Sequence, residues 1–176
     1  MQTVSYIKYF EQVFKSSETE RQLKEAVAIF KKSKRIFFIG NGGSNSICSH
    51  MMEDYGKMAR IPSLAFSDPA LITCYANDYG YEKAMEEWLK LHFAAEDLLV
   101  AISSGGESAN ILNAVKYVNT VNRNVITLSG FKENNSLSKL GALNFHVPVA
   151  NYGIVECYHQ VILHIALDII TGTHTF

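Results

Sequence analysis

Cysteine is scarce and unpatterned in this sequence: Cys48, Cys74 and Cys157 are odd in number, widely separated and never set as CxxC. That excludes a disulfide framework and a thiolate metal knuckle, and the apolar surroundings predict buried, reduced thiols. An excess of charge of one sign is also missing. Lysine and arginine total 16 against 17 aspartates and glutamates, a formal net charge of −1, which leaves no basic footprint for nucleic acid. The run Lys31-Lys32-Ser33-Lys34-Arg35 reads as the cationic end of a helix. No apolar run approaches the roughly 20 residues that span a bilayer, so no membrane partner is expected. The first residues carry Lys8 and Glu11 rather than an export signal, which predicts a cytoplasmic protein. With three prolines and no linker, repeat or low-complexity tract, residues 1–176 are expected to form a single domain.

What is present is an alternation of short apolar runs with amphipathic segments. Residues 3–14 and 18–33 carry apolar side chains at helical spacing, among them Tyr6, Phe10, Leu23 and Phe30, with Ser17 as a cap for the second segment. Runs at 36–39, 63–66, 98–102, 124–128 and 143–147 read as strands. Helical patterns fall at 45–59, from Pro69 to a break at Asn77-Asp78-Tyr79-Gly80, then at 81–93, 108–121, briefly near 135–140, and at 153–171. This order predicts an α/β fold: a three-layer, doubly wound sandwich whose mostly parallel sheet of about five strands is covered on both faces. Ligands of such sheets bind at the carboxyl ends of the strands.

Two strand ends carry unusual turns. Ile36-Phe37-Phe38-Ile39 runs into Gly40-Asn41-Gly42-Gly43-Ser44, and Leu98-Leu99-Val100-Ala101-Ile102 runs into Ser103-Ser104-Gly105-Gly106-Glu107-Ser108; a helix follows each. Glycines let the backbone approach an anion while N–H groups and serine hydroxyls point at it from the positive end of a helix. Together the turns predict a phosphate clamp. Neither is a nucleotide motif: the first lacks the third glycine of GxGxxG and no Lys-Ser/Thr follows, so no nucleotide cofactor is expected. His50 and Asp54, four apart, share one face of the helix leaving the first turn. They suit an acid–base or metal group acting on a phosphorylated ligand, and equally a surface pair. Glu156, His159 and His164 lie on the apolar last helix, where a buried ionisable group needs a partner.

Taken in order, Gly40-Asn41-Gly42-Gly43-Ser44, His50, Glu53-Asp54, Ser67-Asp68, Asn77-Asp78-Tyr79-Gly80-Tyr81, the run from Ile102 to Asn110 and Val147-Pro148 resemble the sugar-isomerase (SIS) domain family over almost the whole chain. The resemblance implies aldose–ketose isomerisation of a seven-carbon sugar phosphate, sedoheptulose 7-phosphate to glycero-manno-heptose 7-phosphate, through an enediolate. It implies substrate binding by Ser44, Ser103, Ser104 and Ser108, with Asn41, Gly42, Gly43 and Glu156 beside them. Asp54 and His164 become the acid–base pair, either one as base. One zinc per subunit is implied on His50, Asp54, Glu156 and His164, while His159 matches a further family histidine in a supporting place. A homotetramer is implied, with sites at subunit interfaces and the N-terminal helices, residues 1–33, packing in the assembly. The family carries glutamate at the place of Asp54, serine at Gly105, asparagine at Glu107 and glutamine at Glu156. Glu156 and His164 are eight apart, roughly 12 Å along one helix, so they can share an ion only if the helix starts after 156 or two subunits supply them.

Two further readings stand beside the isomerase. One is a phosphosugar-binding or adaptor protein that keeps the fold without catalysis, and the other an isomerase of a different ketose phosphate. Asp78 reads equally as a contact to sugar hydroxyls and as a turn residue.

Overall fold

Ile36, Phe37, Phe38 and Ile39 are all fully buried, which is why their strand reads as an unbroken apolar run: helices cover it on both sides. The computed structural model describes residues 2–173, with side chains from residue 6 onward. The chain runs α1 (Gln2–Phe14), α2 (Ser17–Lys32), β1 (Ile36–Gly40), α3 (Gly43–Lys57), β2 (Ser63–Ala65), α4 (Pro69–Tyr79) and α5 (Tyr81–His92). It continues through β3 (Leu98–Ser103), α6 (Ala109–Val121), β4 (Val125–Gly130), a 3-10 turn (Leu137–Lys139), β5 (Leu143–Val147) and α7 (Tyr152–Thr171). The five strands are parallel, in the order β2-β1-β3-β4-β5.

Side chains alternate across this sheet with a period of two. Ile36, Phe38, Val100 and Ile126 face α2, α3 and α7 through Phe30, Met51, Tyr55 and Leu163. Phe37, Ile39, Leu99 and Ala101 face α5 and α6 through Trp88, Leu89, Val115 and Val118. The doubly wound α/β fold expected from the sequence is the fold observed.

Several local expectations need correction. The cap of α2 is Ser16, not Ser17: Ser16 has extended backbone and its hydroxyl accepts from the Thr19 N–H. Asn77, Asp78 and Tyr79 belong to α4, and the break falls on Gly80, whose φ of +79° lets one residue end α4 and begin α5. Of the three cysteines Cys48 is buried, but Cys74 and Cys157 are exposed because α4 and α7 turn them outward. Helix α7 is long and apolar enough to cross a membrane by length and composition, contrary to the expectation that no segment would be. Its inner face, including Tyr158, Ile162, Leu163 and Leu167, is buried in the core, while Val161 and Ile169 are exposed on the outer face.

Candidate active site

The strand order reverses at the β1–β3 boundary, so α3 and α6 leave on opposite faces and a crevice opens between their first turns. Gly42, at φ +53°, turns the chain into α3, whose first N–H groups border the crevice. A cleft of about 390 Å³ lies here, lined by Asn41, Ser44, Ser103, Ser104 and Ser108, with Glu107, Tyr152 and Glu156 at its sides. Among the described residues no lysine or arginine lines it, and the positive potential comes from the N-termini of α3 and α6. The buried Ser104 hydroxyl has no partner among the described residues, where the Ser103 and Ser108 hydroxyls have only each other, Oγ to Oγ 3.2 Å. A buried hydroxyl without a partner is costly unless a ligand takes its bond.

The two turns are tied together by amides. Asn41 Nδ2 donates to Asn110 Oδ1 at 3.0 Å, and Asn110 Nδ2 donates back to Asn41 Oδ1 at 2.9 Å. The Tyr81 hydroxyl donates to the same Asn41 oxygen at 2.8 Å. Asn41 is therefore a brace between the loops as well as a lining residue.

Further along α3, Asp54 meets two imidazoles. Its Oδ2 lies 3.0 Å from His50 Nε2 and 3.9 Å from His164 Nδ1. The two rings stand edge to face with centroids 5.1 Å apart, and one ligand atom from each residue falls within 4.8 Å of the others. Zinc bonds of about 2.0–2.1 Å in tetrahedral geometry set ligand atoms about 3.3 Å apart. The observed spacings are somewhat wider, so two nitrogens and one carboxylate oxygen can hold a divalent cation, with one position left open, after a small closure of the side chains. Between the helices, the buried Tyr55 hydroxyl donates to the Leu163 carbonyl at 3.0 Å, fixing the register of α3 against α7 beside both Asp54 and His164.

Glu156 stands apart from that group. It is on the same unbroken helix as His164, and its carboxylate lies over Gly43, where a Cβ would come within 2.6 Å of Oε2. It borders both the serine cleft and a groove of about 290 Å³ running between α3 and α7 from Gly43 to His50. The expected set of four metal ligands is thus three residues in one chain, with the fourth at the other end of the groove. Asp78 is exposed on α4, accepts from the Asn77 side chain at 2.9 Å, and does not line the cleft. His159 is fully buried with Nε2 3.2 Å from the Ser129 carbonyl, and desolvation pushes its pKa down to about 4.

Asn110, Tyr81, Tyr152 and Tyr55 were not singled out by sequence reasoning. Asn110 gave one signal, as the last residue of the second motif. Tyr81 gave the same kind of signal, closing the Asn77-to-Tyr81 motif, whereas Tyr152 and Tyr55 carry none, because their roles arise from contacts between segments 40 or more positions apart.

Comparison with known proteins places this geometry in context. Residues 5–130 match the model of a family described as SIS domain. The chain is 31% identical over 166 residues to a phosphoheptose isomerase of Fusobacterium nucleatum subsp. nucleatum, covering 92% of this chain and 85% of that protein. It is likewise 31% identical over 162 residues to a phosphoheptose isomerase of Cytophaga hutchinsonii, covering 89% and 84% of the two chains. The solved phosphoheptose isomerase GmhA from Neisseria gonorrhoeae superposes with a TM-score of 0.84 at 24% identity, covering 96% of this chain and 95% of that one, a likeness of fold.

Proposed function

The chain belongs to the SIS domain family, and from that premise we propose that it is a sugar-phosphate aldose–ketose isomerase that converts sedoheptulose 7-phosphate to glycero-manno-heptose 7-phosphate. The observation that carries the reading is the division of α3. Its first turn helps form a serine cleft suited to a phosphate, and its third and fourth turns present a carboxylate between two imidazoles.

The phosphate binds to the N-termini of α3 and α6 and to the hydroxyls of Ser44, Ser103, Ser104 and Ser108. Anchoring the far end of the substrate positions the reacting carbons and removes most of the entropic cost of reaction. Asp54 is the base. One of its oxygens, Oδ2, lies beside both imidazoles, leaving Oδ1 to take the proton from C1 and, after exchange with solvent, to deliver a proton at C2. His164 gives a proton to the C2 oxygen as the enediolate forms and removes one from the C1 oxygen as it collapses. His50 holds the Asp54 carboxylate in place. Zinc is proposed as the metal on His50, Asp54 and His164; when bound, it supplies Lewis-acid stabilisation of the enediolate oxygens.

Ser44 and Asp54 are ten residues apart on α3, about 15 Å along the axis. A seven-carbon chain from phosphorus to C1 extends about 10 Å, so even with about 3 Å of contact at each end it bridges that distance only when fully extended along the helix. We therefore assign the acid–base group acting on a substrate in one cleft to a neighbouring subunit, with Glu156 of one chain facing His164 of another. The apolar surface supports assembly: Ile7, Tyr79, Leu91 and Val161 are exposed, and α4 has no buried residue in a single chain. A homotetramer in the cytoplasm, with the α1–α2 pair in the contacts, is the arrangement we propose.

The test is turnover. Purified protein with sedoheptulose 7-phosphate, with and without zinc, followed by NMR, should produce the anomeric signals of the aldose. Absence of product in both conditions would refute the assignment.

A further inference from the structure

Glu107 brings a negative charge to the rim of a cleft built to accept an anion. Its carboxylate is engaged at both oxygens by one residue. Oε1 accepts from the Ser136 main-chain N–H at 2.8 Å and Oε2 from the Ser136 hydroxyl at 2.7 Å. The segment around Ser136 is itself locked to the second turn. The Leu137 N–H donates to the Gly106 carbonyl at 3.0 Å, and Gly106, at φ +69°, lies so close to Asn135 that any side chain there would overlap it. Asn135 is buried, and its Nδ2 lies within reach of the Ser129 hydroxyl and the Gly130 and Lys132 carbonyls. The anchor that receives the Glu107 carboxylate is therefore rigid, although Glu107 and Ser136 are both exposed.

We propose that Ser136 is a positioning residue for anion binding: by taking both carboxylate oxygens of Glu107, it holds that charge off the serine cleft. The inference rests on the reading of the cleft as the phosphate site. Without the hydroxyl, one bond remains and the carboxylate swings on a three-carbon arm across the mouth of the cleft. There it repels a dianion and competes with it for the Ser104 and Ser108 hydroxyls.

The test uses inorganic phosphate as probe, titrated into the full chain at low salt and followed by NMR. Ser136→Ala should weaken phosphate binding roughly fivefold, with a deficit that shrinks as salt is raised. Ser136→Thr, which keeps the hydroxyl, should restore it. Glu107→Gln should bind at least as tightly as the parent, and Ser136→Ala combined with Glu107→Gln should match Glu107→Gln. If the double variant stays as weak as Ser136→Ala, the serine acts through loop structure and the proposal fails. Equal binding by the parent and Ser136→Ala also overturns it, while leaving the phosphate cleft intact. A parent chain that binds no phosphate would instead overturn the reading of the cleft, and the inference with it.

Discussion

The hydroxyl of Tyr55 donates to the main-chain carbonyl of Leu163 across 3.0 Å in the core. Each residue is the chain neighbour of an acid–base candidate, Asp54 on α3 and His164 on α7. One buried hydrogen bond thus sets the distance between the two groups proposed to move protons.

Tyr55→Phe removes that bond while keeping the ring that packs on Phe30, centroids 4.7 Å apart. The expected cost is about 1 kcal/mol, a drop in Tm of about 2–4 °C. Because the register of α3 and α7 loosens, kcat should fall while KM for the phosphorylated substrate holds. Thermal melts and steady-state kinetics read both.

The amide pair between Asn41 and Asn110 should behave as one unit. Replacing either by Ala strands the other's amide, which in Asn110 is buried, at a cost of about 1–3 kcal/mol. The double variant should cost less than the sum by at least about 0.5 kcal/mol, as measured by denaturant unfolding of the four proteins. Strict additivity would mean that the two loops are held together by other contacts.

Strands β1, β3 and β4 were legible in the sequence because helices cover both faces, which demands runs such as Ile36-Phe37-Phe38-Ile39. The two turns were legible because glycine and serine cluster where such sheets bind ligands. His50 and Asp54 were legible because a spacing of four fixes one helix face. What the sequence could not carry was pairing at a distance: Tyr55 with Leu163, Asn41 with Asn110, Glu107 with Ser136. Exposure was also hidden. Cys74 and Cys157 sit in apolar stretches whose outward faces an oligomer would cover, so composition alone suggested burial.

His159 should make stability depend on pH. Burial depresses its pKa from 6.5 to about 4, so between these values the unfolded chain binds the additional proton. Stability from this group is complete above pH 6.5 and is lost as the pH falls towards 4, by up to about 3 kcal/mol. His159→Gln keeps a donor for the Ser129 carbonyl and should flatten that part of the curve. Denaturant midpoints between pH 7 and 4 check the difference in slope.

Sites shared between subunits can be detected by mixing. Asp54→Asn and Ser104→Ala should each be inactive alone. Unfolded together in equal amounts and refolded, they should regain about a quarter of the parent activity if one chain supplies the cleft and another the acid–base group. Sites contained within one chain would regain none.

The central claim is that this chain isomerises a sugar phosphate with Asp54 as the base. The most direct test is sedoheptulose 7-phosphate in deuterated water, comparing the parent with Asp54→Asn by NMR. The parent should yield aldose carrying deuterium at C2, and Asp54→Asn should lower turnover by at least about 100-fold with the fold intact. Turnover by Asp54→Asn equal to the parent would remove Asp54 from the chemistry. No aldose from the parent would instead point to a protein that binds phosphosugars without converting them.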